Sequence, residues 1–184
     1  MILEKHNTTS KDAIKYPSPI CKMEFVINLA TEALANGEFP IAAAVFHGEK
    51  LISSAYTTEC ADKRWLVHAE QKALMDADTK MLSLKTRTEL ELYTNLEPCL
   101  MCLGMAISSF IGTINFSLEA PDDGAIDFVR KEYEGRTVTG LPVWRFPEVV
   151  GGLMREQSIL LFREFVKLND GKAGVEFART LANL

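Results

Sequence analysis

Leu90-Glu91-Leu92-Tyr93-Thr94-Asn95-Leu96-Glu97-Pro98-Cys99-Leu100-Met101-Cys102 is the stretch from which the fold is read. Leu90 to Thr94 alternates in the manner of a strand. From Cys99 to Phe110 the chain is apolar all round, which predicts a buried helix. A strand therefore runs through a short loop at Pro98 into a helix that carries two cysteines in its first turn. There the free backbone N–H groups and the helix dipole favour thiolate over thiol.

Upstream, Val67, Ala69, Ala73 and Leu74 predict a helix over 65–77, with His68-Ala69-Glu70 near its start. Before it, Pro40 to Phe46 and Leu51 to Tyr56 read as a β-hairpin turning at His47-Gly48-Glu49-Lys50, with His47 a turn residue. Ser18-Pro19 has the chemistry of a helix start. Ile20, Met23, Ile27, Ala30 and Leu34 then recur at helical spacing up to a glycine cap at Gly37, giving a helix over 19–36.

Downstream, Thr113 to Ser117 is a strand, and Pro121-Asp122-Asp123-Gly124 is a loop. Residues 125–150 are mixed and broken by Gly140, Pro142 and Pro147. Met154 to Leu168 is an amphipathic helix stopped by Asn169-Asp170-Gly171. The order α-β-β-α-β-α-β implies an α/β sheet with helices packed on it. Residues 1–17 read as a flexible N-terminal arm, and 169–184 as a tail or short helix.

The chain has 184 residues, 20 Lys+Arg, 25 Asp+Glu and four cysteines. That length suits one domain, and 47% apolar with 24% charged residues excludes global disorder and coiled coil. The net charge of −5 argues against a large polyanionic partner. No apolar run approaches the roughly 20 residues of a membrane span. The charged start, Met-Ile-Leu-Glu-Lys-His, does not read as a secretion signal, so a cytoplasmic protein with reduced thiols is expected.

His-x-Glu and Cys-x-x-Cys are each weak signals alone. A Cys-x-x-Cys before a helix also fits a thioredoxin-type redox site, though that reading leaves His68-Ala69-Glu70 unexplained. In this order and setting they match the zinc deaminase signature, His-x-Glu followed by Pro-Cys-x-x-Cys. His68, Cys99 and Cys102 would supply three zinc ligands and leave one position for water. A structural zinc site needs a fourth protein ligand, and Cys21 and Cys60 lack useful spacing. Zinc lowers the pKa of its water from about 16 towards about 7. Glu70, two residues past His68, would take the proton from that water and pass protons to the ring nitrogen and the leaving amine. The bland alternative for Glu70 is a solvated helix charge.

From about Cys21 to Lys167 the chain resembles the cytidine/deoxycytidylate deaminase superfamily and, within it, the bacterial tRNA adenosine deaminase and related nucleobase and nucleoside deaminases. The resemblance is carried by Glu38-Phe39-Pro40-Ile41-Ala42-Ala43-Ala44-Val45, by His68-Ala69-Glu70 with Ala73 and Leu74, and by Leu92 to Cys102. Gly104, Ile111-Gly112 and Gly151-Gly152-Leu153 continue it. It implies a three-layer α/β/α cytidine deaminase-like fold with a mixed sheet of about five strands, a zinc deaminase domain over 18–168 and a Zn2+ cofactor. It also implies a homodimer in which each active site borrows partner residues. Where the tRNA enzymes carry Asn after the hairpin and Arg before Ile-Gly, this chain has Thr57 and Phe110. Their C-terminal helix tends to end in a basic cluster, whereas this chain runs on through Asn169-Asp170-Gly171 to a nearly neutral stretch.

The leading expectation is a zinc-dependent hydrolytic deaminase in which zinc-bound hydroxide displaces an exocyclic amine from a nucleobase, nucleoside or related amino-heterocycle. One alternative is tRNA wobble adenosine deamination to inosine, and a second is a non-catalytic, zinc-stabilised binding subunit. Expected substrate contacts are Phe39, Pro40, Thr57, Ala69, Glu97 and Pro98. Trp144-Arg145-Phe146 and Asp122-Asp123 read as a lid or a substrate reader. Alternatively, Phe128, Trp144 and Phe146 pack the final helix.

Overall fold

The computed structural model describes residues 14–80, 82–134, 145–172 and 174–184. Among these the chain forms α1 (Pro19–Ala35), β1 (Ala42–His47), β2 (Lys50–Tyr56), α2 (Glu59–Asp62), α3 (Ala69–Thr79) and α4 (Leu84–Arg87). It continues with β3 (Leu90–Leu96), α5 (Leu100–Ser108), β4 (Thr113–Leu118), α6 (Ile126–Glu134), β5 (Glu148–Val150), α7 (Arg155–Asn169) and α8 (Val175–Ala182).

α1 starts where its local chemistry directs. Ser18 Oγ accepts the Cys21 N–H at 3.2 Å, proline occupies the first turn, and Gly37 follows with φ +80°. The helix expected over 65–77 begins later, at Ala69, because Trp65 to His68 are non-helical and His68 is its N-cap. β5 and the short helices α2 and α4 were not legible, since three or four residues carry too little periodicity, and α6 falls in the stretch read as mixed.

The strands order as β2-β1-β3-β4-β5. β1 is antiparallel to β2 and β3, whereas β3, β4 and β5 run parallel. Alternation along β1 sorts the two faces. Ala42, Ala44 and Phe46, with Tyr93 of β3, pack on Met23, Val26 and Ala30 of α1. Ala43 and Val45, with Leu92 and Ile114, pack on Ala73 and Leu74 of α3 and on Leu103 and Ile107 of α5. Helices thus cover both faces of a mixed five-stranded sheet, the expected three-layer α/β/α arrangement. α7 lies beside α1 on the first face.

The C-terminal segment is no detached tail. α8 packs on α7 through Ala178, Leu181 and Ala182, in one core with Phe39, Leu96 and Leu118. Tyr16, at the end of the expected arm, stacks edge-on against Phe25 and Phe46. Trp144 lies outside the described residues. Phe146 packs against Tyr133 of α6 and Phe128 is exposed, so neither supports the final long helix.

Candidate active site

Register brings the site together at one end of the sheet. Ala42 pairs with Tyr56 and Ala43 with Thr94, so the entry to β1 and the exits of β2 and β3 share that end. Phe39–Ile41, Thr57 and Leu96–Cys99 therefore converge. Asn95, fully buried, ties two of these segments: its Oδ1 accepts the Ala42 N–H at 2.7 Å, and its Nδ2 donates to the Pro40 carbonyl at 2.8 Å. The Val67 carbonyl lies 2.9 Å from Thr57 Oγ1, which draws the chain leading to His68 against the exit of β2.

His68 caps α3, Cys99 caps α5, and Cys102 lies in the first turn of α5. His68 Nδ1 is 3.6 Å from Cys99 Sγ and 3.5 Å from Cys102 Sγ, and all three ligand atoms lie within 4.8 Å of one another. A tetrahedral zinc with Zn–N of about 2.0 Å and Zn–S of about 2.3 Å separates N from S by about 3.6 Å, so the three groups fit that ion. His68 Nε2 donates its proton to the Trp65 carbonyl at 3.1 Å, which leaves Nδ1 free to act as a ligand. Neither Cys21 nor Cys60 joins the group among the described residues, so these residues leave a coordination position open.

Electrostatics suit thiolate ligation. The Cys99 thiol is held down to about 4, chiefly by a hydrogen bond from Cys102 and also by His68. His68 rises to about 9, first through its hydrogen bond with Cys99. The Cys102 thiol is pushed up by its bond to Cys99 and by burial. Metal binding displaces such shared protons.

Glu70, in the first turn of α3, is 4% exposed. Burial lifts its carboxyl to about 7, and Thr94 Oγ1 donates to its Oε1 at 3.4 Å. It faces a cavity of about 230 Å³ that also touches His68 and Cys99. Four of the expected contacts, Phe39, Thr57, Ala69 and Glu97, line this cavity, and Pro40 and Pro98 do not. The Pro40 carbonyl is taken by Asn95, and the Pro98 carbonyl accepts the Ala125 N–H. The Glu97 carboxylate accepts the Ala120 and Ile126 N–H groups, both at 3.1 Å, and so anchors the loop after β4.

Asp123, expected in a lid or a substrate reader, also lines the cavity, whereas further lining residues carried no such signal. Glu59 and Trp65 come from the link between β2 and α3, Trp65 having been expected as the start of the helix, and Gly174 and Phe177 come from the C-terminal segment. Asn95 and Thr94 were detectable only as polar residues within a central strand. Gly174 has φ +82°, and a Cβ there would stand 2.6 Å from Phe39 Cζ, so glycine is required where the segment crosses Phe39.

Residues 21–118 match the family model described as the cytidine and deoxycytidylate deaminase zinc-binding region. A tRNA-specific adenosine deaminase of Rickettsia bellii is 26% identical over 147 residues, which cover 79% of this chain and 97% of that protein. The guanine deaminase of Nitrosomonas europaea superposes with a TM-score of 0.62 at 27% identity, over 80% of this chain and 84% of its own. A mutant of the protein NE0047, solved with 8-azaguanine, gives a TM-score of 0.67 at 27% identity over 84% and 87%. No helix among the described residues is long and apolar enough to cross a membrane. Family model, fold and ligand set agree: the chain belongs to the cytidine and deoxycytidylate deaminase zinc-binding family and is a zinc-dependent hydrolytic deaminase.

Proposed function

We propose that this deaminase acts on a free amino-heterocycle the size of a single nucleobase, replacing an exocyclic amine by oxygen and releasing ammonia. The observation that carries this reading is the cavity. At about 230 Å³ it is smaller than the roughly 300–1,000 Å³ of pockets for drug-sized ligands. Gly174 and Phe177 form part of its wall, and no Lys or Arg among the described residues lines it. The 8-azaguanine bound by the NE0047 mutant is a base of this size.

His68, Cys99 and Cys102 would hold zinc, which when bound supplies a water acidic enough to act as a nucleophile at neutral pH. Glu70 holds and moves the protons. Its carboxyl sits near 7, so it can accept a proton at its Oε atoms and give it up again within one turnover. Thr94 orients the carboxyl, and burial excludes bulk water from it. Phe39 and Phe177 offer aromatic surface for a flat ring.

A second reading, deamination of adenosine in a tRNA anticodon loop, is favoured by the name of the Rickettsia relative. It is also favoured by Lys63 and Arg64, which line a shallower recess beside the cavity. We place the protein in the cytoplasm because its four cysteines are free and two must act as thiolates. We propose a homodimer, supported by exposed Met75 of α3 and Leu100 of α5, helices that pack on each other. Ammonia release from purine and pyrimidine bases, their nucleosides, amino-triazines and an anticodon stem-loop tests the function. Turnover of one small base, reduced at least 100-fold by Glu70→Gln with zinc retained, is expected. Turnover of the stem-loop alone would replace this reading by the second.

A further inference from the structure

Four carboxylates line the cavity without a lining Lys or Arg among the described residues: Glu59, Glu70, Glu97 and Asp123. Two of them have their partners. Glu70 is held by Thr94, and both Glu97 oxygens accept backbone N–H groups. Glu59 differs. Its Oε2 lies 3.1 Å from Thr57 Oγ1, whose single proton the Val67 carbonyl also faces at 2.9 Å, and Oε1 has no donor within hydrogen-bond distance among the described residues. His68 Nε2 stands 3.6 Å from Oε1, and its proton goes to the Trp65 carbonyl.

The backbone that carries Glu59 is held in place. It opens α2, whose next two N–H groups, of Cys60 and Ala61, are accepted by the Glu38 carboxylate at 2.9 and 2.8 Å. Glu38 is itself 2% exposed. A buried carboxylate therefore pins the short helix, and the helix presents a second carboxylate to the cavity. An ionised carboxylate only accepts hydrogen bonds. One held at a cavity wall with an unused oxygen selects a ligand that brings a donor, and it penalises one that leaves the oxygen unpaired.

We infer that Glu59 is a specificity-determining residue whose Oε1 accepts an N–H from an edge of the heterocycle other than the carbon losing its amine. The inference rests on the deaminase reading above. It narrows the substrate class to amino-heterocycles with a second N–H donor, and it disfavours phosphorylated nucleotides, whose charge would meet carboxylates here.

The test measures binding apart from turnover. In a zinc-loaded Glu70→Gln background, which stops hydrolysis, equilibrium dialysis gives Kd for 2,6-diaminopurine, adenine and 9-methyl-2,6-diaminopurine. The latter two each lack one donor of the first. Glu59→Ala should weaken 2,6-diaminopurine at least tenfold, as loss of a charge-assisted hydrogen bond does. It should leave unchanged one of the other two, the one that already binds tenfold worse. Glu59→Gln provides a check on folding, and zinc content should stay at wild-type level in both variants. Equal weakening of all three ligands, loss of zinc, or no effect on 2,6-diaminopurine would overturn the role, as would failure of all three to bind. Selective binding lost in Glu59→Ala, without turnover of any base by the wild-type protein, would keep Glu59 and remove the proposed substrate reading.

Discussion

Asn95→Ala tests how the central strand holds the cavity wall. The side chain is fully buried and makes two hydrogen bonds, one to the Ala42 N–H and one to the Pro40 carbonyl. Truncation leaves both backbone groups without a partner in a place water reaches poorly. Each such group costs about 1–3 kcal/mol, so the loss is about 2–6 kcal/mol. For a chain of this size each kcal/mol lowers Tm by about 2–4 °C, so thermal unfolding of the zinc-loaded protein should fall by roughly 4–24 °C. The functional consequence is directional. Phe39 and Ile41 flank Pro40 and line the cavity, whereas the metal ligands come from α3, α5 and their caps. KM should therefore rise while zinc stoichiometry holds. A Tm change under 2 °C, or loss of zinc with KM intact, would refute the reasoning.

Two further outcomes are expected. Cys99→Ala should lower zinc content and Tm together, and chelation should destabilise the wild-type protein more than this variant, because a metal bound only to the native state adds to its stability; equal sensitivity to chelator would remove Cys99 from the ligand set. Gly174→Ala forces an alanine to φ +82° with its Cβ 2.6 Å from Phe39 Cζ. The left-handed backbone alone costs about 1–2 kcal/mol, so a lower Tm with a raised KM is expected, and unchanged calorimetry and kinetics would show that this crossing is not tight.

Much of the scaffold is legible residue by residue. Ser18-Pro19 start α1 because capping and proline geometry act within one turn. The Met154 to Leu168 pattern becomes α7 because its apolar stripe faces β3 and β4. Elements too short to carry a period escape such reading. α2 spans four residues and is pinned by Glu38, 21 positions before it, which nothing local reveals. Phe146 joins Tyr133 rather than the final long helix, because a run of apolar residues states that they are buried and not against what.

The reaction class was written in the sequence itself. His68, Glu70, Cys99 and Cys102 each take their place from a helix start within a few residues, and zinc chemistry demands those residue types. The dimensions and polarity of the cavity were decided only by the tertiary structure. Its wall is assembled from Phe39, Thr57, Glu59, Leu96, Asp123 and Phe177, which strand register and helix packing bring together from across more than a hundred positions. Local chemistry sets what a short segment becomes; only pairing between distant segments sets what it faces. That is why the metal triad can be read along the chain, and the carboxylate that meets the substrate becomes visible only when the chain is folded.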